Sequence, residues 1–206
     1  MDAVARSIPR PDTSPCTCSS RPSPGPSATL LPLDPAAAVG PATTADLWLR
    51  LEPSALCDRI EAHFHVPLRR QLDDVVALST RVDAAHADHA ARAADLTTTL
   101  VGLRDELLPH LAKEEQVLFP MIRAGALPHL AMPVAVMRGE HDTTLEVLAG
   151  LRRRTDAYRP PPDACPTWHE LYRQLATLDR DLLLHIGVEN ELLFPRVLRA
   201  ARAGRS

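Results

Sequence analysis

Leu107-Leu-Pro-His110-Leu-Ala-Lys-Glu114-Glu-Gln-Val-Leu118-Phe-Pro120 returns 75 residues later as Leu182-Leu-Leu-His185-Ile-Gly-Val-Glu189-Asn-Glu-Leu-Leu193-Phe-Pro195. In both copies leucines recur at three- and four-residue spacing, the period of one face of an α-helix. Each copy carries a histidine and, four residues on, a glutamate. Residues i and i+4 lie about 40° apart around a helix axis and ~6 Å along it. His110 therefore points with Glu114, and His185 with Glu189. Upstream, His65 and His141 stand 76 residues apart and continue the relation. The chain reads as two copies of a helical hairpin, each with one histidine on its first helix and a His-x3-Glu pair on its second.

Working outward, the periodicity predicts four long amphipathic helices. The first runs from about Ser54 to about Ala84, with Leu56, Ile60, Phe64, Leu68, Leu72, Val75 and Val76 on its apolar face. The second runs from about Ala91 to about Phe119, and the third from about Met132 to about Tyr158. The fourth starts at Thr167, where Thr167-x-x-Glu170 after Pro166 reads as a capping box, and continues to about Ala200. Gly125 with Pro128, and Pro160-Pro161-Pro162, mark turns. Long helices with short connections predict an all-α, antiparallel up-down four-helix bundle. From His141 the chain climbs about 17 residues to Tyr158 and descends about 17 from Trp168 to His185. The first hairpin climbs and descends about 19 on either side. At ~1.5 Å per residue the two legs cancel, so all four histidines return to one level of the bundle.

Four histidines and two glutamates at one height of an apolar core need compensation, because unpaired buried titratable groups cost several kcal/mol each. A bound metal supplies it. His65, His110, Glu114, His141, His185 and Glu189 are the expected ligands. Imidazole and carboxylate without thiolate suit iron, manganese or zinc. Six side chains exceed one tetrahedral site, and two carboxylates from a two-fold repeat are placed to bridge two ions ~3.5–4 Å apart. Two six-coordinate ions need about twelve positions; the histidines and bridging glutamates fill about eight, leaving the rest for small ligands. Glu106 and Asp181, four residues before His110 and His185, and Glu140, next to His141, are expected to orient these ligands. His86 lies 21 residues beyond His65, about 31 Å along a helix, and is rejected as a ligand. His63, His89, His129 and His169 are off-register, and Cys57 and Cys165 are expected to be buried or inert. Pro67 and Pro109 predict kinks beside the ligands.

Composition sets the class. Hydrophobic residues make up 45% and the net charge is −3, so no basic surface advertises nucleic acid or anionic lipid. No uncharged apolar stretch reaches the ~18–20 residues of a membrane span. The apolar stretch near Leu30 to Val39 is cut by Pro32, Asp34 and Pro35, which argues against a secretory signal. Four scattered cysteines do not make a disulfide framework. A cytoplasmic protein is expected. Residues 1–45 hold nine of the twenty prolines and are expected to form a disordered tail, with the bundle spanning 46–202. Cys16-Thr-Cys18 in the tail is a weak redox or metal signal.

The segments Phe64-His65, His110 to Ile122, Glu140-His141-Asp142, Pro161 to Trp168, and His185 to Pro195 together resemble the hemerythrin-like di-iron proteins. They are most similar to the iron–sulfur cluster repair family, the "repair of iron centres" proteins. The resemblance covers roughly residues 46–200. It implies a non-haem centre of two iron ions, carboxylate-bridged, on the six ligands above, with Glu106 and Glu140 beside it. His86 also matches a histidine common in that family. The implied function is repair of iron–sulfur clusters damaged by nitrosative or oxidative stress, by iron donation to damaged iron–sulfur proteins or an apo-cluster scaffold. The alternatives are nitric oxide reduction at the two irons and binding or sensing of oxygen or nitric oxide. No nucleic acid or membrane partner is expected, and a homodimer is one assembly this reading allows. At the N-terminus the family's small cysteine-containing domain is reduced to Ser7-Ile8-Pro9-Arg10 and the split pair Cys16 and Cys18.

Overall fold

The computed structural model describes residues 48–126 and 129–203. The expected tail with Cys16 and Cys18, and the turn residue Pro128, lie outside the described residues. Four helical rods follow one another. The first is α1 (Pro53–Ile60), a π turn Glu61–His65 and α2 (Val66–Ala85). The second is α3 (Leu96–Lys113), a π turn Glu114–Leu118 and α4 (Phe119–Arg123). The third is α5 (Ala131–Arg154) alone. The fourth is α6 (Pro166–Gly187), a π turn Val188–Leu193 and α7 (Phe194–Ala203). α2 packs on α3 and α6, and α5 packs on α3 and α6, so the rods occupy the corners of a square with sequence neighbours adjacent. This is the expected up-down bundle, and no strand occurs among the described residues.

The core has two apolar blocks. One fills the end nearer the loops at 86–95 and 155–165, with Leu72, Leu100, Leu148, Trp168 and Leu175. The other fills the opposite end, with Leu56, Ile60, Leu118, Phe119, Leu130, Leu193 and Phe194. His65, His110, Glu114, His141, His185 and Glu189 are all buried. On each rod they fall where one block gives way to the other, as a polar layer between two hydrophobic ones.

Helix ends depart from the periodicity in instructive ways. The second rod starts at Leu96, not Ala91, because Asp95 takes a left-handed conformation (φ 58°) that a helix cannot include. α5 ends at Arg154, since Asp156, Ala157 and Tyr158 run left-handed in succession. The capping box at Thr167 does not form. Pro166 occupies the first turn, where its fixed φ suits a helix start, and this makes Cys165 the cap, with no side-chain capping bond. Thr167 is thereby inside the helix.

Of the two expected kinks, the one at Pro67 takes the form of a π turn, and two further π turns precede other prolines. Pro67, Pro120 and Pro195 each stand two residues after a π turn. A helix-interior proline lacks a donor and collides with the carbonyl four residues back. Widening the preceding turn by one residue takes that carbonyl out of line. The N–H before each proline accordingly reaches back five residues: Val66 to Glu61, Phe119 to Glu114, Phe194 to Glu189. Pro109 sits inside α3 without a π turn. α5, which brings His141, carries none either.

Candidate metal centre

The height argument places six side chains together, and the structure does so through Nε2 atoms and carboxylate oxygens. His65 Nε2 lies 3.4 Å from Glu114 Oε2 and 3.0 Å from His185 Nε2. His185 Nε2 lies 3.1 Å from Glu189 Oε1. On the other side, His110 Nε2 lies 3.5 Å from Glu114 Oε2 and 3.2 Å from His141 Nε2. His141 Nε2 lies 3.1 Å from Glu189 Oε2. Two four-residue groups result: His65, Glu114, His185, Glu189, and His110, Glu114, His141, Glu189. Within each, the ligand atoms all lie within 4.8 Å of one another. Both carboxylates belong to both groups. Each group takes one histidine from each half of the repeat, so neither half alone completes one.

The electrostatics suit a cation. Both oxygens of Glu114, and Glu189 Oε2, are buried without a hydrogen-bond partner. Unpartnered carboxylate oxygens at such depth are costly unless a positive charge meets them. Burial, reinforced by the neighbouring Glu189 carboxylate, pushes Glu114 well above the ordinary carboxyl range. Burial works against the charge on Glu189 too, but the imidazoles of His185 and His141 outweigh it and hold that carboxyl low. Burial, then the adjacent His185, bring His65 down to about 4. Burial lowers His110 as well, against the pull of Glu140. Both rings are therefore neutral near pH 7, the form in which imidazole binds a metal.

The outward-facing Nδ1 atoms find different partners. His65 Nδ1–H donates to Glu115 Oε1 at 2.9 Å, and Arg69 clamps both oxygens of Glu115 at 2.9 Å. His110 Nδ1–H donates to Glu140 Oε2 at 2.8 Å, and Lys113 pairs with the other oxygen of Glu140. His141 Nδ1–H donates to Asn190 Oδ1 at 3.0 Å. His185 Nδ1 is buried with no partner, its ring stacked on Phe64 at 5.1 Å. Glu140 thus meets an imidazole. Glu106 instead lines a cavity of about 290 Å³ with Lys113, Glu140 and Thr143, beside His110. Asp181 accepts from Gln71 at 3.0 Å and from Arg180 at 2.9 Å rather than from a ligand. Glu115 and Asn190 were missed by the sequence reading, although each directly follows one of the two central glutamates.

His86 caps the far end of α2, its Nε2 3.2 Å from Cys165 Sγ and its ring against Trp168. It lies in neither four-residue group. His63, His129 and His169 are exposed, and His89 pairs with Asp163 at 3.0 Å. Cys57 and Cys165 are both buried, and burial pushes Cys57 up to about 12.

Residues 58–197 match the hemerythrin HHE cation binding domain. The chain belongs to the hemerythrin HHE family. Within it, this hemerythrin is 39% identical over 151 residues to the iron–sulfur cluster repair protein YtfE of Enterobacter sp. (strain 638), an alignment covering 73% of this chain and 69% of that one. It is 38% identical, over the same shares, to the YtfE of Escherichia coli O157:H7. The domain's cation-binding character and the buried histidine–glutamate layer agree: this hemerythrin layer is suited to a di-iron centre. Among the described residues, no helix is long and apolar enough to cross a membrane.

Proposed function

We propose that this hemerythrin is a di-iron protein that helps repair iron–sulfur clusters damaged by nitrosative or oxidative stress, by donating iron. In this reading His65 and His185 would hold one ion and His110 and His141 the other, with Glu114 and Glu189 common to both groups. The observation that carries it is the sharing of two buried carboxylates by both four-residue groups, three of their four oxygens having no hydrogen-bond partner. Two bridged irons supply redox and Lewis-acid chemistry and a reservoir of metal. The chain's own residues do the rest. The neutral imidazoles of His65 and His110 accept cations without first losing protons. Glu115, Glu140 and Asn190 fix three of the rings in the tautomer that presents Nε2 inward. The apolar blocks above and below exclude water from the layer. The cavity lined by Glu106, Lys113 and Glu140 offers a polar route to His110. The relatives' printed name supports repair over other di-iron roles.

The test is metal content with Mössbauer spectroscopy of reconstituted protein, followed by anaerobic mixing with an apo-cluster protein. About two coupled irons per chain, and transfer of iron with cluster formation, are expected. Fewer than about 1.5 irons would overturn the di-iron reading. Nitrous oxide formation without transfer would favour nitric oxide reduction, and a reversible oxygen adduct without transfer would favour binding. His110→Ala is expected to lose metal and His86→Ala to keep it; equal loss would place His86 at the centre.

A further inference from the structure

The two halves of the repeat hold their imidazoles from equivalent places with unlike side chains. Glu115, one residue after Glu114, takes the Nδ1–H of His65 across the contact between the first and second rods. Its counterpart 75 residues on is Asn190, which takes the Nδ1–H of His141. Glu140, one residue before His141, takes the Nδ1–H of His110. Its counterpart, one residue before His65, is Phe64. A phenyl ring accepts no such bond. It stacks on His185 with an interplanar angle of 19°, and His185 Nδ1 is left without a side-chain acceptor. The space beside that ring, lined by Phe64, Gln71 and Asp181 among others, is about 20 Å³. That admits one water and no side chain. Asp181 is turned away to Gln71 and Arg180.

These four contacts sort by ion position. His110 and His141 have a carboxylate and an amide behind them. His65 and His185 have a carboxylate and a phenyl ring. The two carboxylates are matched, since each is also paired with a cation, Arg69 or Lys113. The difference is therefore Asn190 on one side against Phe64 on the other. An acceptor behind a metal-bound imidazole fixes its orientation and raises its donor strength, and losing one costs 10–100-fold in metal affinity.

We infer that the two ion positions are unequal by construction, that the ion held by His65 and His185 is the one released first, and that Phe64 sets this order. The inference rests on the di-iron donor reading above and says which iron is given up.

The full-length chain is loaded anaerobically with ferrous iron and mixed with excess ferrous chelator, and chelate absorbance is followed in time. Two phases of about equal amplitude are expected, the faster at least tenfold faster than the slower. Phe64→Glu, which rebuilds on His185 what Glu140 provides to His110, is expected to slow the fast phase about tenfold or more and leave the slow one. Phe64→Gln does the same with an uncharged acceptor, should the carboxylate disturb folding. Glu140→Phe in the otherwise native chain is expected to speed the slow phase until the two merge. A single phase in the native chain, or a fast phase unmoved in a Phe64 variant that still binds two irons, overturns the inference while leaving the di-iron reading in place. Failure of the native chain to take up two irons overturns both.

Discussion

At the scale of the residue, the candidate centre depends on groups one step outside it. Glu115 is held by Arg69 and in turn holds His65, so its value lies in aim as well as charge. Glu115→Ala is expected to weaken iron binding about 10–100-fold, with Glu115→Gln closer to native because an amide oxygen still accepts the Nδ1–H; competition titration against a chelator of known affinity measures both. The metal-free protein also has a defined pH response. His65 sits at about 4 when folded against 6.5 for the free side chain. The unfolded chain therefore takes up the proton first on acidification. Stability tied to His65 is complete above pH 6.5 and is lost as the pH falls toward 4. Glu114 has the opposite sign: raised above 4.5, its contribution is complete below that value and lost as the pH rises. Glu114→Gln removes the opposing group. Between pH 7 and pH 4, metal-free Glu114→Gln is expected to lose on the order of 3 kcal/mol more than Glu114→Gln/His65→Gln in denaturant unfolding. Parallel pH profiles would show that His65 is not held neutral by the fold.

At the scale of the element, proline and function share one device. Three of the four rods carry a π turn, and His65, Glu114 and Glu189 all lie within one. Each turn is followed by the proline that needs it. The widened turn shifts the side chains that precede the proline relative to a continuous α-helix, and so sets where the carboxylates meet the imidazoles from neighbouring rods. Pro120→Ala restores a donor and removes the collision that widens the turn at Glu114. The metal-free variant is expected to be at least as stable as the native chain, because a helix-interior proline costs ~3 kcal/mol or more. Its iron affinity is expected to fall as Glu114 moves. Unchanged iron affinity in calorimetric titration would detach the π turn from the site. The prolines themselves are plain in the sequence. Their consequence was not, because an i→i+5 turn has no residue periodicity of its own and arises from a steric conflict two residues downstream.

At the scale of the whole molecule, the duplicated hairpins exchange their contributions. Each four-residue group draws one histidine from each half and shares both glutamates. Paired substitutions separate this arrangement from a site built within one half. His65→Ala/His185→Ala removes both imidazoles of one group and is expected to retain about one ion per chain. His65→Ala/His110→Ala removes one from each group and is expected to retain less than that. Metal content after desalting distinguishes them, and the reverse order would contradict the crossed assignment.

The sequence alone determined the bundle, the level of the layer and the six side chains that meet there. Helical rise and the i, i+4 pair are local properties of the chain, and equal legs on either side of a turn must return to one height. Three things were decided only by tertiary contact: which histidine faces which, what stands behind each ring, and where the helices truly begin. Glu115, Asn190 and Phe64 are ordinary residues in the sequence; they acquire roles because a neighbouring rod brings an imidazole against them. The capping box at Thr167 failed for a related reason, since the backbone of Pro166 had already chosen the start. Side-chain partners across rods depend on rotation about four axes at once, and no periodicity along a single chain specifies that.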